Sequence, residues 1–163
     1  MTFSDPTPCR ERLAALLAGQ NAQLAALEDL LAREHALLEA QDVDGLEQAA
    51  GARKQCVDQI LHFDDERRAL ARATGRGDDS TGLHSLLAWC DPAELLRPAV
   101  QEYRERTQRC REQNDRNGFL VIGRMQRTSG QLNVLNGGSP DGNTYGPGSG
   151  KIRGYDSKLT TRA

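Results

Sequence analysis

The first half of the chain carries leucines at a spacing typical of a long amphipathic helix. From about residue 9 to about residue 40, apolar side chains recur three, four and seven positions apart with polar residues between them. Leu17, Leu24, Leu31 and Leu38 stand seven residues apart. Each leucine that such a stripe buries contributes roughly 1.5–3 kcal/mol. The pattern predicts a first helix that packs one face inside a bundle.

A second helix is predicted to follow almost at once. Asp44, with Glu47 three residues later, has the pattern of a capping box in which aspartate takes the place of Ser or Thr. An apolar face then continues to about residue 74: Leu46, Ala49, Cys56, Val57, Ile60, Phe63 and Leu70. Because few residues separate the two helices, we expect them to fold back on each other as an antiparallel hairpin.

The second half of the chain predicts a short helix within "STGLHSLLAWC" and then a long one. Asp91 is the expected cap of the long helix, with Pro92 at its first position and Glu94 completing the box. The helix is predicted to continue to Leu135, about 44 residues in all. Its expected seam toward the other helices is Leu96, Val100, Tyr103, Thr107, Cys110, Asn114, Asn117, Val121, Thr128 and Leu135.

Four successive apolar residues near the end of this long helix point around most of a turn, which one seam does not require. They are Phe119, Leu120, Val121 and Ile122. Either the turn is wedged inside a bundle, or a second apolar face is exposed for a partner helix. Gly118 and Gly123 bracket the run, and each lowers helix propensity by about 1 kcal/mol relative to alanine.

Asn114 and Asn117 lie on the predicted seam just before the run. Buried asparagines set the register of coiled coils, whereas exposed ones simply face solvent, and both interpretations stay open.

The composition changes after Asn136. The last 28 residues hold seven glycines and two prolines, with few apolar side chains to offset the entropy of ordering them. We therefore predict a helical domain over residues 1–135 and a flexible tail over residues 136–163. The fold class is all-α: an elongated antiparallel hairpin plus a long third helix, forming a coiled-coil-like bundle of three to four helices.

Charge and motifs favour a binding role over catalysis. The net charge of −2 gives no general attraction to nucleic acid. Neither a signal pattern nor an 18-residue apolar run is found, which predicts a cytoplasmic protein without direct membrane insertion. The four widely spaced cysteines are expected to be reduced, small apolar residues. No nucleotide cofactor is predicted, since "TYGPGSGK" lacks the first glycine of a phosphate-binding loop. No metal or catalytic residue is predicted either, because no histidine follows a glutamate in a Glu-x-x-His pattern and no nucleophile–base pair is found.

These features in this order resemble the FlgN family of flagellar export chaperones. The resemblance rests on the two-helix hairpin, a third helix that opens with a proline, "NDRNGFLVIGRMQRTSGQLNVLNG" and the terminal "TYGPGSGK". It covers nearly the whole chain, although this chain extends past Gly150 with "KIRGYDSKLTTRA". The resemblance implies a non-enzymatic cytoplasmic chaperone that shields the helical terminal region of hook–filament junction proteins. It also implies delivery of these clients to the flagellar export gate.

On this interpretation the client helix is expected to bind the end of the third helix. The predicted client-binding residues are Asn117, Gly118, Phe119, Leu120, Ile122, Met125, Leu132 and Leu135. Tyr145 and Gly146 in the tail are predicted to dock at the export gate, with an inert glycine-rich terminus as the alternative.

Two other classes of protein remain open. A self-associating coiled-coil protein would use the same apolar stripes without a client, and a second copy would cover them. A metal-binding or enzymatic bundle would be built around His62 and Glu66, one helical turn apart, a spacing that equally suits an ordinary surface pair.

Overall fold

The regular structure of the chain is helical throughout the part that the structure describes. The structure, a computed structural model, describes residues 5–77 and 80–135, with the side chains of residues 80 and 81 excepted. Its helices are α1 (Pro6–Ala40), α2 (Val43–Ala73), α3 (Ser80–Cys90) and α4 (Arg97–Leu135). The predicted all-α fold class is confirmed. None of the helices described is long and apolar enough to cross a membrane.

Helices α1 and α2 form the predicted antiparallel hairpin, joined by only Gln41 and Asp42. Arg12 pairs with Glu66 at 2.7 Å near one end of the hairpin, and Arg53 pairs with Glu34 near the other. The sequence numbers rise along one helix as they fall along the other, so the two helices run in opposite directions.

The cap of α2 was predicted at the wrong aspartate. Gln41 adopts a left-handed conformation with φ of 60° and ends α1. Asp42 then accepts a hydrogen bond from the amide of Gly45 at 2.9 Å and is the true N-cap. Asp44 lies inside the first turn instead, where a carboxylate is favoured by the helix dipole. Helix α1 likewise begins at Pro6, three residues before the predicted start, because Asp5 caps it and a first helical turn tolerates proline.

The start of α4, by contrast, was predicted too early. Asp91 does act as a cap, but its carboxylate accepts from the amides of Leu95 at 3.0 Å and Leu96 at 2.7 Å, four and five residues on. Glu94 has a φ of 55°, which no helix interior allows. Residues 91–96 therefore form a turn, and α4 begins at Arg97 with 39 residues.

The hydrophobic core consists of two clusters, a large one and a small one. All four helices or their ends contribute to the large cluster. The large cluster contains Cys9, Leu13, Leu16, Leu17, Leu70, Ala71, Leu86, Cys90, Leu96 and Val100. The small cluster holds Leu24, Leu31 and Cys110, with Ile60 of α2 packed against it. The short helix α3 contributes only to the large cluster. Toward the α1–α2 connection the bundle therefore consists of α1, α2 and α4.

Two compact units divide the chain inside α4, Met1–Gly123 and Arg124–Ala163. The predicted boundary at residue 136 and the predicted flexible tail lie outside the described residues and stay predictions.

Candidate functional site

The register of α4 against α1 is set by amide side chains that donate to backbone carbonyls. Asn21 of α1 donates to the carbonyl of Ala99 at 3.0 Å, and Asn117 of α4 donates to the carbonyl of Leu31 at 3.0 Å. Both sequence numbers rise together, so α1 and α4 run in the same direction. Because α1 continues for nine residues beyond Leu31, to Ala40, it still runs beside the residues of α4 that directly follow Asn117.

Asn117 is the most buried of the predicted site residues, with only 3% of its surface exposed. Besides its bond to Leu31, its side-chain oxygen lies 3.0 Å from Nδ1 of His35. Of the two interpretations of the asparagines, register setting therefore describes Asn117. Asn114 is exposed and accepts a hydrogen bond from Arg53.

Arg53 ties α2 into the same network. One of its guanidinium nitrogens donates to both oxygens of Glu34 at 3.0 and 2.9 Å, and the other reaches Asn114. Glu34 is half-buried beside Asn117. We call Glu34, His35, Arg53, Asn114 and Asn117 the polar junction. The polar junction joins α1, α2 and α4, and it lies directly before the exposed apolar residues of α4.

Sequence reasoning missed three members of the polar junction: Glu34, His35 and Arg53. A signal for one of them was present. His35 falls between Leu31 and Leu38 at helical spacing, and a polar residue inside an apolar stripe indicates a buried hydrogen bond. Glu34 and Arg53 carried no such signal, because charged residues are common beside a helix seam.

The apolar residues that follow the polar junction lie mainly on the surface of the first unit. Phe119 is 75% exposed and Ile122 is 54% exposed, Val121 is exposed to a smaller degree, and Leu120 is half-buried. We call Phe119, Leu120 and Ile122 the Phe119 surface. The predicted seam was therefore wrong at Val121, which is exposed instead of packed.

The second unit presents exposed apolar residues of its own in the remainder of α4. Met125, Leu132, Val134 and Leu135 are all largely exposed. Thr128 and Leu135, which the predicted seam placed against other helices, are exposed. Tyr145 and Gly146, the predicted gate-docking residues, lie outside the described residues.

The glycines that flank the Phe119 surface are not required by packing. A Cβ atom built on Gly118 or Gly123 meets no atom within 4 Å. Both have ordinary helical backbone and neither adopts a positive φ. Their effect on the molecule is therefore a local loss of helix propensity, about 1 kcal/mol each relative to alanine.

The cysteines are buried and their thiols resist ionisation. Burial raises the pKa of Cys90 to about 11, helped by the neighbouring Cys9 thiol. Burial likewise raises the pKa of Cys110 to about 11, with a further contribution from Glu28. A nucleophile requires the thiolate, so these side chains act as small apolar residues in the core.

His62 and Glu66 form a surface pair, 3.4 Å apart. The Glu66 carboxylate is also held by Arg12 at 2.7 Å. Among residues 5–77 and 80–135, no group of three or more His, Cys, Asp or Glu side chains is placed to hold a metal ion.

The chain matches a known protein family over most of its length. The family described as FlgN protein matches residues 9–151, which is most of the chain. No curated protein and no solved structure matches the chain.

Proposed function

Because the chain belongs to the FlgN protein family, we propose that it is a cytoplasmic type III flagellar export chaperone for hook–filament junction proteins. Membership of this family implies a flagellar export chaperone role in general terms. The proposal adds the client and the binding mode. A helical terminal region of the client packs on the Phe119 surface, and the chaperone delivers this client to the export gate.

The observation that supports this binding mode is the exposure of large apolar side chains directly after the polar junction. Burying the exposed parts of Phe119 and Ile122 contributes roughly 3–5 kcal/mol before the cost of association. Phe119 and Ile122 stand three residues apart, so they lie on one side of α4. A partner helix can therefore cover both at once.

A chaperone for export has to release its client, which requires a moderate affinity. Two features favour that affinity. The Phe119 surface is small, and Gly118 and Gly123 weaken the helix that carries it. Part of the binding free energy is then spent on ordering this end of α4.

The experiment that tests the proposal is a calorimetric titration of the chain with the C-terminal helical region of a hook–filament junction protein. Phe119→Ser is expected to weaken binding at least tenfold, because it removes a central apolar contact. Leu61→Ser is the matched control, since Leu61 is a 57% exposed apolar residue on α2. Equal losses in both variants, or a loss in neither, would contradict the assignment of the surface.

The role of the glycines is tested separately with Gly118→Ala. This variant is expected to raise the free energy of unfolding by up to about 1 kcal/mol and to slow client dissociation. Gly51→Ala is its control, because Gly51 lies in α2 with nothing within 4 Å of a new Cβ. If Gly51→Ala slows dissociation as much as Gly118→Ala does, local adaptability of α4 is not the cause.

Delivery to the gate is assigned to the tail through Tyr145 and Gly146. A chain truncated after Asn136 is expected to keep client affinity and to lose binding to the cytoplasmic part of the export gate. Loss of client binding in this truncation would instead place the tail in the client site.

A self-associating coiled-coil protein is the second candidate, favoured by the same exposed side chains. It predicts a stable oligomer at micromolar concentration that Phe119→Ser dissociates and that a client does not. Sedimentation velocity with and without the client peptide distinguishes the two candidates.

A further inference from the structure

A second surface of the first unit has features of a binding groove that client binding does not explain. A cavity of about 540 Å³ opens between α3 and the first turns of α4. Its lining near the 91–96 turn includes Asp91 and Arg97, and its lining farther along the two helices includes His84 and Arg104. The two helices thus form the walls of a groove that the turn closes at one end.

The groove is amphipathic. Leu87 and Val100 supply apolar lining, and Gln101 and Arg104 line it from the α4 wall. Val100 belongs to the large core cluster and Leu87 packs against it, so this lining is anchored in the rigid part of the bundle. The turn that closes the groove is fixed by the Asp91 carboxylate.

Two acidic and two basic side chains line the groove, and Arg104 is the one of these four without a partner among the described residues. Both oxygens of Asp91 are used by the amides of Leu95 and Leu96. Glu94 is paired with Arg97 at 2.9 Å. Among the described residues no hydrogen bond or ion pair engages Arg104, which is exposed on the α4 wall. Arg104 can therefore receive a carboxylate from outside the chain.

We propose that this groove binds an acidic amphipathic helix of a partner protein. A third helix is the element that fits between two helices, with apolar side chains toward Leu87 and Val100 and a carboxylate on Arg104. The tail of this chain is a poor occupant, because its residues 136–163 carry four basic and two acidic side chains.

The partner can bind while a client is present. Arg104 and Asn117 are thirteen residues apart in the same helix, which corresponds to about 20 Å at 1.5 Å per residue. The proposal therefore does not depend on the function proposed for the Phe119 surface.

The test uses two labelled 16-residue helical peptides and fluorescence anisotropy with the full chain. One peptide places leucines along one face with glutamates beside them, and the other replaces every glutamate with glutamine. The wild-type chain is expected to bind the glutamate peptide about tenfold more tightly than the glutamine peptide. Arg104→Gln is expected to reduce this ratio at least threefold, whereas Phe119→Ser leaves it unchanged.

Three results of the peptide titrations would overturn the proposal. They are equal binding of the two peptides, a ratio that Arg104→Gln does not change, and a ratio that is lost in Phe119→Ser. Sedimentation of the chain alone is the second measurement. A dimer that Arg104→Gln dissociates would identify a second copy of this chain as the occupant and overturn the assignment to a partner protein.

Discussion

Replacing Asn117 with alanine removes the side chain that joins α4 to α1 at the level of the polar junction. Two hydrogen bonds of 3.0 Å disappear, one to the carbonyl of Leu31 and one to the ring of His35, together with a longer one of 3.5 Å to Glu34. A net hydrogen bond in a protein contributes roughly 0.5–1.5 kcal/mol, so the loss lies between about 1 and 3 kcal/mol. We expect a value near 2 kcal/mol, because His35 is partly exposed and water can replace its lost partner.

Asn114→Ala is the matched control for this prediction. Asn114 lies one turn earlier in α4, is exposed and accepts a single hydrogen bond from Arg53, which Glu34 also holds. Its loss is expected to change the free energy of unfolding by less than about 0.5 kcal/mol.

Urea denaturation followed by circular dichroism measures both variants. At about 2–4 °C for each kcal/mol in a chain of this size, Asn117→Ala is also expected to lower Tm by roughly 4–8 °C. Equal destabilisation by the two asparagine variants would refute the reasoning, since it would mean that the burial of Asn117 adds nothing to the free energy of unfolding.

Two further predictions concern the glycines of α1 and α2 and the buried thiols. Gly19→Ala is expected to lower the free energy of unfolding by about 1–3 kcal/mol, because its Cβ would lie 2.5 Å from the ring of Phe63. Gly51→Ala, with open space around the new Cβ, is expected to raise it by up to about 1 kcal/mol. Thermal unfolding measures both variants, and Tm shifts of the same sign would contradict the prediction. The buried thiols of Cys90 and Cys110 predict a loss of stability at high pH. Their folded pKa of about 11 exceeds the ordinary 9.0, so their stabilisation is complete below pH 9.0 and is lost as the pH rises toward about 11. The loss is roughly 1.4 kcal/mol per pH unit for each thiol, and an unchanged pH slope in Cys110→Ala would contradict it.

Helix periodicity was enough to predict the hairpin. The leucine stripe of α1 has to be buried against another helix, and α2 follows after a short connection. Leu17, Leu24, Leu31 and Leu38 are all buried as expected. Helix ends were less accessible to the same reasoning. Asp42 and Asp44 are chemically equal as caps, and only the left-handed Gln41 before Asp42 decides between them.

The candidate site was predictable only in part from the sequence. The run after Gly118 has more apolar residues than a seam needs, and this excess alone indicates a candidate binding surface in this stretch. Which of its residues are exposed depends on which face of α4 turns toward α1, and that orientation is fixed by hydrogen bonds between distant residues such as Asn117 and Leu31. The groove beside α3 had no signal in the sequence, because it arises from the turn that Asp91 closes.

Hydrogen exchange of the chain with and without the helical client region tests the central claim most directly. In the free chain, the amides after Asn117 are expected to exchange faster than those of the buried parts of α1, because little packs against the Phe119 surface. Binding of the client is expected to slow exchange across residues 117–123 of α4 and to leave exchange across residues 9–17 of α1 unchanged. Protection confined to α1, α2 or α3, with residues 117–123 unaffected, would contradict the account.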